Sequence, residues 1–449
     1  MIDILTSAGL ILIGVLLFEL IILFHEGGHF ISAKLSGVKV NEFSLGMGPK
    51  LFSFTKGETT YSLRMLPIGG FCAMEGEDQD SENPYAFNNA KIYKRMVIIV
   101  AGAVMNIVLG LVLMLVTLMP AQGFSTTQVG SFTPHSFSAN CGLQEGDKIL
   151  SVDGYKVRNS IDLSYALAKT KVQDVNGDSL QIYKQDCANA LYRLCVENEI
   201  FVDVSDEELR ILYSELLDST ALINECDSAN SAYAALKAGA ENFAQKFEEK
   251  DFSVAEIEIK DTRPRFRVDM VVERNGEKVT LQDVDFFTYT TAENPEPKMS
   301  VDFYSVGKEK TFLTLLSETG SQTVSVVRMV ADSLVGLVTG QFSINDVSGP
   351  IGAASATVEV AQQGLKSGFG DAVLNIVYVM MVITVNLGVV NMLPFPALDG
   401  GRFVFLLIEG IFRKPIPRKV EGIVNAVGLC LLLLFILIIS LKDIWMLIV

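Results

Sequence analysis

Apolar residues occur along this chain in runs long enough to cross a bilayer. From Ile4 to Phe24 nearly every position is apolar and Glu19 is the one charged residue. Met96 to Met119, Leu374 to Met392 and Ile423 to Leu441 repeat the pattern. At about 1.5 Å per helical residue each run can span a hydrocarbon core about 30 Å thick, which predicts four transmembrane helices with both termini on one side. The first run has no basic segment before it and no small-x-small cleavage site, so it reads as a retained helix and not as a signal peptide. Between Val40 and Glu75 the pattern changes. Apolar and polar residues alternate in places around Gly46-Met47-Gly48-Pro49 and Gly69-Gly70, which predicts short strands joined by turns, a small sheet beside the membrane.

The long stretch from about Pro120 to Gly370 has two compositions. Cys141 to Gly154 reads as a turn, an apolar strand and a second turn, followed by a helical stretch from Ser160 to Lys169. A hairpin around Asn275-Gly276 appears about a hundred residues later, with strands from Val268 to Val279. That order resembles a PDZ domain split by an insertion. The insertion, 171–265, holds 20 acidic and 10 basic residues, and so carries −10 of the net charge. Ser205-x-x-Glu208 is a capping-box start, and Ser231 to Lys250 has helical periodicity, so a solvated helical subdomain is expected.

The fold class is therefore an α-helical membrane protein: four transmembrane helices, a membrane-associated β-hairpin sheet, and an extracytoplasmic PDZ-like domain with a helical insertion. The expected divisions are 1–36 (first transmembrane helix), 37–92 (cytoplasmic-side sheet region), 93–120 (second helix), 121–170 and 266–305 (the PDZ-like parts), 171–265 (insertion), 306–371 (extracytoplasmic amphipathic region), 372–412 (third helix and Asp399 loop) and 413–449 (fourth helix).

Composition agrees with a membrane reading: 49% of the residues are hydrophobic, 20% are charged, and the mean hydropathy is +0.36. A net charge of −16 leaves no electrostatic footprint for nucleic acid. Basic residues set the orientation. Lys34, Lys39, Lys50, Lys56, Arg64, Lys91, Lys94 and Arg95 lie between the first two runs, and Arg402, Arg413, Lys414, Arg418 and Lys419 precede the fourth, which places both loops in the cytoplasm. Six cysteines without a C-x-x-C pair argue against a cysteine zinc site, and leave the pairing of Cys141, Cys187, Cys195 and Cys226 open.

Candidate chemistry begins at the inner end of the first run, at His25-Glu26-Gly27-Gly28-His29. Four helical residues turn through about 400°, so the two imidazoles share a face one turn apart, as two ligands of one metal require, and Glu26 sits close enough to act on water there. With three histidines in 449 residues, such a pair around an acid is expected by chance only about 0.002 times. This is a metalloprotease constellation: zinc acidifies water, and a carboxylate takes its proton and passes it to a leaving amine. The adjacent glycines imply a close approach by a neighbouring helix, a substrate strand or the remaining ligand. Catalytic zinc needs a third protein ligand. His135 lies in the outer segment, whereas Asp399, after the helix-breaking Pro394 and Pro396, lies on the same side as His25 and is the best candidate. Glu19 precedes Glu26 by seven residues and shares its face about 10 Å away, so it is expected in the bundle interior, protonated and hydrogen-bonded to a neighbouring helix.

His25-Glu26-Gly27-Gly28-His29, the Asn391-x-x-Pro394-x-Pro396-x-Leu398-Asp399-Gly400 stretch and the PDZ-like domain between them resemble the site-2 protease family of intramembrane zinc metalloproteases. Within it the similarity is to the bacterial regulator of sigma-E or sigma-W protease group. Asn41 to Pro49, Leu66 to Phe71 and Ser348-Gly349-Pro350-Ile351-Gly352 extend it. The resemblance implies Zn2+ at His25, His29 and Asp399, Glu26 as general base, and substrate contacts from Asn391, Pro394 and Pro396. It also implies a bacterial cytoplasmic-membrane enzyme with its site towards the cytoplasm. Single-span membrane proteins would be the substrates, anti-sigma factors and signal-peptide remnants among them. Two other classes compete. A catalytically silent PDZ-bearing scaffold would have lost Glu26 or a ligand, and an ion transporter would show internal repeats.

Overall fold

The computed structural model describes residues 2–77, 79, 81–133, 136–170, 172–173, 222–223, 234–236, 238–239, 265–291, 294–341, 347, 349–414 and 416–448. His135, Cys187, Cys195, Cys226, Ser348 and the expected insertion helix from Ser205 lie outside these residues. The chain divides into two compact units, 1–124 with 309–449, and 125–308.

Among the described residues the first unit holds four helices long and apolar enough to cross a membrane, with spans Leu12–Ser36, Ile92–Leu118, Phe369–Asn391 and Lys419–Met446. They belong to α1 (Ile2–Ser36), α2 (Ile92–Leu118), α7 (Phe369–Asn391) and α9 (Arg418–Ile448). The first runs beyond the apolar stretch that ends at Phe24. The histidine pair does not end the helix; α1 continues to Ser36 and stops in a Schellman turn, with Gly37 at φ +76° and the Val38 N–H donating to Ala33 O at 2.9 Å. The two glycines do not interrupt it. A Cβ on Gly28 would meet Ala101 C at 2.7 Å and Met105 Cγ at 2.9 Å, so α2 packs directly on this backbone, while Gly27 has no neighbour within 4 Å of such an atom. Glu19 is buried, 8% exposed, as expected of an interior face, but neither carboxyl oxygen has a hydrogen-bond partner.

After α1 come β1 (Val40–Lys56) and β2 (Thr59–Met74). Both bend in the middle, where Gly46, Gly48 and Gly69 have positive φ. Glu42–Leu45 therefore pairs with both Thr60–Leu63 and Gly70–Ala73, while Phe52–Lys56 pairs with Thr59–Leu63 as a hairpin. Two bent strands thus do the work of several short ones. Met47, Leu51, Phe52, Phe54, Met65 and Leu66 are exposed, an apolar surface of the kind that lies in an interface.

The region expected at 306–371 as an outer amphipathic segment forms α5 (Phe312–Val338), started by a Thr311/Thr314 capping box, and α6 (Pro350–Ser367). Both belong to the unit of the apolar helices. On α5 the buried side chains include Thr319, Gln322, Thr323 and Ser325 and the exposed ones include Leu313, Val324 and Val335, the reverse of a soluble helix. Pro394 and Pro396 end α7 as expected, but Asp399 does not sit in a loop. It is the first residue of a further helix, α8 (Asp399–Phe412).

In the second unit an eight-stranded sheet includes β3 (Gly123–Phe132), β4 (Lys148–Val152), β5 (Tyr155–Lys156), β6 (Val172–Gln173), β7 (Arg265–Arg274), β8 (Glu277–Thr291), β9 (Asn294–Ser300) and β10 (Phe303–Glu309). The main order is β10-β3-β4-β7-β8-β9. A short α3 (Phe137–Asn140) precedes β4, and α4 (Ser160–Lys169) follows β5, capped by Asn159. Asn275 and Gly276, at φ 53° and 84°, supply the tight turn that pairs β7 with β8. The period-two face of β7 buries Phe266, Val268, Met270 and Val272 in one core with Ile149, Leu163 and Phe286. β6 pairs with β7 at Gln173 and Arg265, so the two ends of the insertion are adjacent.

Candidate metal centre

Two elements supply the three atoms that face one another. The one-turn spacing on α1 presents His25 and His29 side by side, and the start of α8 presents Asp399. His25 Nε2 lies 3.4 Å from His29 Nε2, and Asp399 Oδ2 lies 3.3 Å and 3.4 Å from the same two nitrogens. The centre of a triangle of that size is about 1.9 Å from each corner, and zinc–nitrogen and zinc–oxygen bonds are about 2.0–2.2 Å. The three donor atoms thus have the spacing that zinc bond lengths require, and His25, His29 and Asp399 would hold the ion. Asp399 Oδ2 is buried with no hydrogen-bond partner of good geometry, an acceptor that a cation would satisfy. His25, His29 and Asp399 form the one such cluster found among the described residues.

Close packing fixes Asp399. Gly401 lies so near Phe395 that an added Cβ would come within 2.9 Å of Phe395 C, and Gly400 is pressed as closely on Met392 and Leu393. The prolines need no amide partner there, and Ala397 takes the left-handed conformation at φ +74° that returns the chain. Two ion pairs hold α8 itself: Arg402 with Glu77, beyond β2, and Glu409 with Arg95 of α2 at 2.5 Å. Pro396 packs on Gly428 of α9, whereas Pro394 is exposed and Asn391 Nδ2 lies 3.4 Å from His25 Nε2.

The second helix contributes residues that the sequence reading passed over. Ile98 O accepts from His29 Nδ1 at 2.9 Å, Gly102 faces both imidazoles, and Asn106 Nδ2 lies 3.1 Å from His25 Nδ1. Positions 98, 102 and 106 form one stripe at four-residue spacing. Asn106 had a usable signal, being the one carboxamide in the run from Met96 to Met119. Glu26 lies next to the sheet: a Cβ on Gly70 would be 3.5 Å from Glu26 Cγ. Burial pushes the Cys72 thiol well up, and the nearby Glu26 and Glu77 carboxylates add to this, so it stays a thiol and is no rival ligand.

The sequence profile of peptidase family M50 matches residues 13–435. The chain belongs to peptidase family M50. This site-2 protease is 29% identical over 447 residues to the zinc metalloprotease RasP of Bacillus licheniformis, covering 96% of this chain and 97% of the relative. It is 28% identical over 446 residues to the regulator of sigma-W protease RasP of Bacillus subtilis, covering 96% and 97%. To the zinc metalloprotease RasP of Geobacillus kaustophilus it is 29% identical over 446 residues, covering 96% of each chain. The M50 chain is a membrane zinc metalloprotease, and its cofactor is zinc.

Proposed function

We propose that this protease hydrolyses peptide bonds within the transmembrane segments of single-span membrane proteins. The observation that carries the reading is the placement of His25 and His29 inside an apolar span, with Asp399 Oδ2 within 3.4 Å of both. His25, His29 and Asp399 hold the zinc, which when bound polarises water and the scissile carbonyl. Glu26 takes the proton of the attacking water and delivers it to the leaving nitrogen. A helical substrate hides its peptide bonds in its own hydrogen bonds and must be held extended. The second half of β2, whose outer edge pairs with no described strand, runs past Glu26 at Gly70 and can add the substrate as a further strand. Asn391 and Pro394 contact the unwound segment, with Pro396 supporting the loop from behind.

The basic loops support a reading with this site towards the cytoplasm, and with a PDZ-like domain that carries an inserted subdomain on the extracytoplasmic side. A relative is named for regulating sigma-W, which points to anti-sigma factors as substrates, with signal-peptide remnants as a second class. The test uses detergent-purified protein and a single-span substrate. Glu26→Gln should retain zinc and lose cleavage, whereas Asp399→Ala should lose zinc. Wild-type turnover by the Gln variant, or full zinc in the Ala variant, refutes the assigned roles.

A further inference from the structure

We propose that Asn106 is the positioning residue that fixes the tautomer of His25, its carboxamide oxygen accepting the proton of His25 Nδ1 so that Nε2 is free to bind the metal. Asn106 is fully buried, at 0% exposed, in the middle of α2. Its amide end lies 3.1 Å from His25 Nδ1, with Nδ2 towards the ring and Oδ1 buried without a hydrogen-bond partner. The two ends of a carboxamide have nearly the same shape, so hydrogen-bond chemistry decides which one faces the ring. An Nδ2 donor would require a bare Nδ1, and a neutral imidazole would then carry its proton on Nε2, the atom that faces His29 and Asp399. That tautomer cannot ligate. With the amide turned over, the orphaned oxygen receives the Nδ1 proton and Nε2 presents its lone pair.

His29 supplies an internal control. Its Nδ1 lies 2.9 Å from Ile98 O, a carbonyl that can only accept, so its proton is on Nδ1 and its Nε2 is free. Asn106 lies two turns further along the same helix and performs for His25 what Ile98 O performs for His29. Gly102 lies between them, where a side chain would enter the imidazoles. One stripe of α2 thus sets both rings. The backbone serves one histidine, and a side chain that mutation can remove serves the other.

The inference rests on the proposed ligand set, and the test separates the two. Full-length protein in detergent is dialysed against chelators of graded zinc affinity, and bound zinc is measured by elemental analysis, with thermal unfolding as a check on folding. Asn106→Leu should weaken zinc binding by about 10- to 100-fold. Asn106→Asp, which can only accept from Nδ1 when ionised, should stay within about threefold of wild type. In 15N-histidine spectra, zinc-loaded wild type and Asn106→Asp should both show His25 protonated on Nδ1. Wild-type affinity in Asn106→Leu overturns the proposal. So does an Asn106→Asp protein that folds but binds zinc as weakly as the Leu variant, because Asn106 would then be a donor. Should Asn106→Leu fail to fold, the Asp variant and its spectrum decide. His25→Ala with undiminished zinc would refute the ligand set itself.

Discussion

Replacing Gly102 by alanine adds one methyl group at the point where α2 faces both imidazoles. That atom would lie 2.7 Å from His29 Cε1 and 2.9 Å from His25 Cε1. Carbon atoms rest at about 3.5–4.0 Å, so the His29 ring must retreat by about 0.8 Å or the helix must move. The ring is tied to Ile98 O on the same helix at 2.9 Å, so it cannot swing away without losing that bond. The helix has little room either: a Cβ on Gly388 of α7 would already lie 3.0 Å from Ala103 O and 3.2 Å from Asn106 Cβ. Zinc–ligand distances tolerate only about 0.2 Å.

Gly102→Ala should therefore cost about 1–3 kcal/mol of stability from overpacking and lower zinc affinity at least tenfold. Zinc retained during chelator dialysis, beside a thermal melt, measures both. Gly27→Ala is the matched control on the facing helix. Nothing lies within 4 Å of its added atom, so it should keep its zinc and gain about 0.5–1 kcal/mol of helix stability. A Gly102→Ala protein with wild-type zinc affinity and melting temperature would refute the claim that α2 is a rigid wall behind the histidines.

Glu19→Leu should raise thermal stability, because it removes a buried carboxyl without a partner, worth about 1–3 kcal/mol, and should leave cleavage intact; loss of cleavage with zinc retained would mean that the reaction uses the acid. For Glu42, burial raises the carboxyl, but Ser62, Arg64 and Lys50 bind it and bring it down to about 2. A depressed folded-state value stabilises the sheet above the ordinary 4.5, and the contribution is lost as pH falls from there towards 2. Protection of the Ser44 and Ser62 amides, after division by the intrinsic exchange rate at each pH, should fall as pH drops through that window in wild type and stay constant in Glu42→Gln; identical profiles refute it. Replacing 174–264 by a short Gly/Ser bridge should leave zinc binding and cleavage of a short substrate unchanged, since β6 and β7 already hold Gln173 beside Arg265. An inactive bridged protein would make the insertion part of the catalytic unit.

That His25, His29 and Asp399 come together was readable in the chain because histidine is scarce there and because prolines and an aspartate after an apolar run have few structural reasons to occur. The Asn275-Gly276 hairpin was readable for a similar reason, since few dipeptides accept two positive φ values. The support of the histidines was not. Gly102 and Gly110 look alike in sequence, two glycines in one apolar helix, yet a Cβ on Gly110 would meet the aliphatic Val385 Cγ2 at 2.5 Å and one on Gly102 would meet imidazoles. Ile98 acts through its carbonyl, which any residue would supply. Asp399 was expected in a loop, because the prolines mark where α7 ends but nothing local shows that a new helix begins at once.

A bilayer supplies little hydrophobic force between helices, since lipid tails are as apolar as leucine. A metal site needing about 0.2 Å precision must therefore be held by something else. Here glycines bring backbones close enough to register: Gly28 on Ala101, Gly388 on Ala103, Gly400 on Met392. Polar ties then fix what packing leaves free, Arg95 to Glu409 and Arg402 to Glu77 for the helix of Asp399, Ile98 O and Asn106 for the imidazoles. Ile98 and Asn106 lie within the apolar span of α2, where a polar group without a partner would cost several kcal/mol in lipid, so these two ties persist only while their partners are in place. The same interactions that build the site thus make its helices specific for one another.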